Sequence, residues 1–108
     1  MKKLIASVLM IPCMAMAEFK TGNELLSNMN SDNVVENMVA LGYVMGVADA
    51  TRGTGNCGPE TATAGQMRDL VKNYLIANPQ FRHYSADVIV MAILGKTWPC
   101  PNKKGTGV

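Results

Sequence analysis

The chain has 108 residues, 48% of them apolar and 17% charged, with ten Lys+Arg against eight Asp+Glu. That is the length of a single domain, and the balance of charge excludes a protein held to nucleic acid through its phosphates.

The first seventeen residues read as an export signal. Lys2 and Lys3 form a positive start, Leu4 to Met14 an apolar stretch, and Ala15-Met16-Ala17 an A-x-A cleavage site. The apolar stretch is about eleven residues, short of the roughly 20 that cross a bilayer. A buried N-terminal helix and a lipid anchor at Cys13 are the alternatives, and Pro12 stands where lipidation wants a small residue. The expectation is an exported protein cleaved near Ala17, with no membrane anchor in its mature form.

Cleavage leaves 91 residues and equal numbers of basic and acidic side chains. Lys103 and Lys104 are too few for an anionic membrane surface, and no later segment is long and apolar enough to span one. A domain of this size buries only about 60–65% of its unfolded surface, so its core is marginal. Residues 18–102 are expected to form the domain and 103–108 a polar, flexible tail.

Two cysteines remain, Cys57 and Cys100. In an oxidising compartment they point to one disulfide. It would close a loop of 44 residues counted inclusively, worth about 4 kcal/mol in the chain-entropy model. The alternative joins both thiols and His83 to zinc, but no C-x-x-C or H-x-x-x-H spacing supports a metal site.

In chain order, Asn23 is placed to cap a short helix with Leu25, Leu26 and Met29 on its apolar side. A polar run from Asn28 to Asn33 interrupts it and supplies a new cap. Val34 to Ala50 gives the strongest helical pattern, and Val34, Met38, Leu41, Met45 and Ala48 are expected to face the core. Val35, Val39, Gly42 and Gly46 form a neighbouring strip. Each glycine costs about 1 kcal/mol of helix propensity, so the strip predicts close approach of another helix within the core.

Thr51 to Ala62 holds three glycines and a proline in twelve residues and is expected to be a loop. Thr63 and Gln66 have capping-box spacing and open a helix striped by Met67, Leu70, Val71, Tyr74 and Leu75. Asn78-Pro79 ends it. After the aromatic and basic connector Gln80 to Tyr84, Ser85 is expected to cap a last helix. That helix is apolar nearly all round from Val88 to Leu94, and therefore expected to be central, with Gly95 and Lys96 at its end. The whole predicts an all-α bundle of four to five helices with one disulfide.

No residues point to an enzyme. Cys57 and His83 are the only nucleophile–base candidates, and Cys57 is expected to be oxidised. Glu60, Asp69 and Asp87 are spaced as caps and solubilising groups rather than a carboxylate pair. The glycines around Thr54 lack the Lys-Ser/Thr of a phosphate loop. No cofactor is implied. The 51–62 loop is the expected contact surface, with Arg52, Thr54, Asn56 and Glu60 supplying hydrogen bonds to a partner.

Several separated groups recur in a familiar order: Phe19-x-x-Gly22-Asn23-x-Leu25-Leu26, Gly42-Tyr43-Val44-x-Gly46-Val47-x-Asp49, Cys57-x-Pro59, Tyr74-Leu75, Asn78-Pro79, Arg82-His83 and Trp98-Pro99-Cys100. This order resembles the Rap/Tai family, the immunity proteins of type VI secretion peptidoglycan amidases. The resemblance implies an all-helical periplasmic protein that binds a cell-wall amidase, blocks its active-site cleft, and often forms a homodimer. Members commonly carry a further cysteine in the first helix, where Asn28 and Met29 stand here. The second reading of the chain is a small periplasmic chaperone or an envelope stress or assembly protein.

Overall fold

The computed structural model describes residues 19–101. The leader and its cleavage site at Ala17, and the tail at 103–108, lie outside the described residues. Four helices follow in order: α1 (Gly22–Met29), α2 (Val34–Ala50), α3 (Ala64–Ala77) and α4 (Ala86–Thr97). A 3₁₀ turn, Pro79–Phe81, separates the last two, and no strand occurs among the described residues. The all-α expectation holds.

Each helix begins where a side chain satisfies free amides at its first turn, with one exception. Thr21, not Asn23, caps α1, and its hydroxyl and the Glu24 carboxylate form a reciprocal capping box. Asn33 accepts from the amides of Val35 and Glu36 to open α2. Thr63 and Gln66 form the expected box at α3. The exception is Ser85, which makes no cap bond to α4. Its hydroxyl donates to Asp87, and Asp87 accepts the Val88 amide instead. Ser85 pairs with Thr21 in an isolated bridge, and the Ala86 amide donates to the Lys20 carbonyl. The start of α4 is thus tied to the start of α1.

α2 packs against all three other helices, and its inner face differs from the expected one. Ala40, Val44 and Ala48 are buried, while Val34 and Met38 are 69% and 65% exposed. Leu41 and Met45 lie at the edge of the core. Small residues at i, i+4 and i+8 let the helix sit close to three neighbours at once, which larger side chains would prevent. The other helices then fill the core around it with Leu25, Met67, Val71, Leu75, Val90 and Leu94. α3 keeps its expected stripe at Met67, Val71 and Leu75. α4 is not central: Ile89, Val90 and Leu94 point inward, but Val88 and Met91 are exposed. It also continues through Gly95 and Lys96 to Thr97.

Gly42 and Gly46 do not pack against another helix of this chain. A Cβ added at either meets nothing within 4 Å. Replacing each by Ala should therefore stabilise the isolated fold by about 0.8–1 kcal/mol through helix propensity alone. Denaturant unfolding of Gly42→Ala and Gly46→Ala at low protein concentration checks this.

Candidate partner-binding surface

The segment after α2 folds back on the helix before it leaves. The Thr51 carbonyl accepts from the amides of Thr54, Gly55 and Asn56 at 3.1, 2.7 and 3.0 Å. Gly53 takes φ +85°, a left-handed conformation that only glycine adopts without strain, and its amide donates to the Asn56 carbonyl at 2.7 Å. Residues 51–56 are thereby a tight turn.

Asn56 is the inner strut of that turn. It is 3% exposed. Its amide nitrogen donates to the Ala48 carbonyl at 3.2 Å and to Thr51 Oγ1 at 3.0 Å, and its oxygen accepts the Gly58 amide at 3.1 Å. Thr51 Oγ1 in turn donates to the Val47 carbonyl at 2.8 Å. The Asn56 bond satisfies the Ala48 carbonyl, which the end of α2 leaves free. The expectation that Asn56 bonds to a partner is corrected here, because its donors and acceptor are spent inside the fold.

The next residues fasten the turn to the end of α4. Cys57 and Cys100 are bridged, with Cα atoms 4.9 Å apart, and the Cys57 amide donates to the Trp98 carbonyl at 2.8 Å. Gly58 lies under the Trp98 ring, where a Cβ would come within 3.1 Å of it. Gly95 admits the Gly55 carbonyl so closely that a Cβ there would stand 2.6 Å from the oxygen. Gly58 and Gly95 are thus required by contact, and Gly53 by turn geometry.

What remains outside is a short rigid edge. Arg52, Thr54 and Glu60 are exposed. Arg52 stands 3.9 Å from Asp49 in a pair that is largely in solvent and therefore adds little to stability. Beside the loop, a groove of about 370 Å³ runs between α2 and α4, walled by Tyr43, Val47, Ala50 and Met91. Burial pushes the Tyr43 phenol above its ordinary value of 10.0, the Asp87 carboxylate adds to the rise, and a hydrogen bond with the Asp87 backbone opposes it.

A second surface was not evident from the sequence pattern. Tyr74, Phe81 and Tyr84 form a stack with ring centroids 6.5 and 5.9 Å apart, and the His83 ring lies 4.3 Å from that of Tyr84. Arg82 sits among them by donating to the carbonyls of Leu75 and Ile76 at the end of α3. The signal available was the aromatic density of residues 81–84.

The sulfur of Cys57 is held in the disulfide, so it neither attacks a substrate with His83 nor ligates a metal with it. Asp69 pairs with Arg68 on α3, and Asp87 serves the start of α4. No group of three His, Cys, Asp or Glu side chains converges among the described residues, and no described helix is long and apolar enough to cross a membrane. The model of the Rap1a immunity proteins matches residues 21–100, from the N-cap of α1 to the second bridged cysteine. No curated protein matches the chain.

Two measurements probe this geometry. Asn56→Ala strands buried backbone groups and should cost about 1–3 kcal/mol of stability, whereas Thr54→Ala at the exposed tip should stay within about 0.5 kcal/mol; denaturant unfolding compares them. The raised Tyr43 value gives an alkaline signature. Below about pH 10 the phenol is neutral in both folded and unfolded chains, and stability is unaffected. Above that, the unfolded phenol ionises first, so stability falls as pH rises toward the folded value. Tyr43→Phe should remove that part of the alkaline loss.

Proposed function

The chain belongs to the Rap1a immunity protein family, and on that premise we propose that it is exported to the periplasm, binds a peptidoglycan amidase delivered by type VI secretion, and occludes the enzyme's active-site cleft. An immunity protein acts by binding its cognate effector. It needs affinity and a shape that the effector accepts, and no chemistry of its own.

The observation that carries the cleft-blocking role is the fixed loop edge between α2 and α3. It is bridged at Cys57, bonded to Trp98 and braced from inside by Asn56. Such an edge loses little conformational freedom on docking, which is the main way a small protein gains affinity without more contact area. Arg52 and Glu60 offer charge-assisted hydrogen bonds of both senses, and Thr54 stands between them at the tip. The leader supports export, and a bridged cysteine pair suits an oxidising compartment.

Replacing Arg52 and Glu60 together by Ala should weaken inhibition of the amidase on purified peptidoglycan by roughly tenfold or more, about 1.4 kcal/mol. Both side chains are exposed, so the fold is expected to survive. Inhibition equal to that of the unaltered chain would take the loop out of the mechanism.

A further inference from the structure

Trp98 is the single tryptophan of the chain, and its backbone is fixed on both sides. Its amide donates to the Leu94 carbonyl at 2.9 Å, and its carbonyl accepts the Cys57 amide at 2.8 Å. Gly58 lies against the indole, and the bridged Cys100 follows close behind it. The ring is partly buried against the core. It also walls a cleft of about 300 Å³ that opens beside α3.

α3 supplies the rest of that cleft. Gln66, Asp69, Leu70 and Asn73 line it, and their spacing puts them on one face of the helix. Much of their bonding capacity is unused inside the fold. The Gln66 oxygen accepts the Thr63 amide, which leaves its NH₂ group. Asp69 Oδ1 accepts from Arg68, which leaves Oδ2. The Asn73 side chain and the Trp98 indole N–H make no hydrogen bond among the described residues.

We propose that this cleft binds a neutral glycan, with one N-acetylated sugar unit against the Trp98 ring and its polar groups on Gln66, Asp69 and Asn73. One face of a pyranose is made largely of C–H bonds, and the face of an indole is apolar and electron-rich. The edge of the sugar carries hydroxyls that both donate and accept. The cleft answers in both senses, with acceptors at Asp69 and Asn73 and donors at Gln66, Asn73 and Trp98. Leu70 gives apolar contact for the methyl of an acetamido group. Among the described residues no Lys, Arg or His lines the cleft, so nothing there pairs with a phosphate or carboxylate. Its volume lies at the small end of ligand clefts and suits a mono- or disaccharide. A ring fixed this way loses little freedom on binding. The proposed export supplies only the source of the sugar, since peptidoglycan strands are built of such units; recognition itself rests on the cleft.

The lone tryptophan reports on its own site. Titrating the processed, oxidised chain with N,N′-diacetylchitobiose should change its fluorescence saturably, with half-saturation at about 1 mM or tighter. Maltose, which has no acetamido group, should bind at least about fivefold more weakly. Asp69 and Asn73 are both exposed. Asp69→Ala and Asn73→Ala should therefore keep the thermal midpoint of the unaltered chain, while each weakens sugar binding by roughly fivefold. No saturable change up to about 10 mM sugar overturns the proposal. Binding that both variants leave intact overturns it too, and an equal response to maltose overturns the acetamido assignment. The titration contains no amidase, so its failure leaves the effector-binding role standing.

Discussion

The clasp between the 51–62 loop and the end of α4 is the constraint on which the rest depends. The Cys57–Cys100 bridge joins positions 43 residues apart and encloses both α3 and α4 within its span. In a domain with so small a core, about 4 kcal/mol of loop-closure entropy is a large part of the usual margin of about 5–15 kcal/mol. The bridge does more than stabilise. It fixes the Gly55 carbonyl against Gly95 and Gly58 under Trp98, so the turn at Arg52 to Gly55 is held from one side by covalent geometry. From the other side, Asn56 holds it through α2's last carbonyls.

That arrangement explains why the loop is rich in glycine without being slack. Gly53 serves a left-handed turn. Gly55 and Gly58 lie where a side chain would strike Thr51 or Trp98. Flexibility in the unfolded chain is exchanged for close approach in the folded one. An edge made this way holds the backbone at Arg52 and Thr54 in one arrangement.

The sequence was most legible where local chemistry decides the outcome. The Thr63–Gln66 box, the α3 stripe, the stop at Asn78-Pro79 and the cysteine pair all follow from short-range rules and stand in the structure. α2 was legible as a helix but not in its phase. Its residues are apolar on almost every side, so periodicity had no polar face to fix the rotation. What decided it was the fit of Ala40, Val44 and Ala48 among three neighbours, a tertiary fact. The same ambiguity made α4 read as central. At α1, Thr21 and Asn23 are both capping residues, and Glu24 three positions after Thr21 was the signal that separates them. Asn56 was illegible for a different reason. A polar residue among glycines reads as solvent-facing, and only its three partners reveal that it is buried.

The two glycine groups of the chain show how one residue type marks two kinds of contact. Gly55, Gly58 and Gly95 are spent on neighbours within the fold, and a methyl group at any of them meets an atom at 3.1 Å or less. Gly42 and Gly46 meet none, so their helix-weakening effect has no return inside the molecule. The polar loop edge and the apolar α2 face are also different in kind. The first is rigid and offers hydrogen bonds of both senses, which suits recognition of a foreign cleft. The second is apolar and nearly uncharged. The two surfaces therefore differ in the chemistry they offer: hydrogen-bonding groups at Arg52, Thr54 and Glu60, and apolar contact at Val35 and Val39.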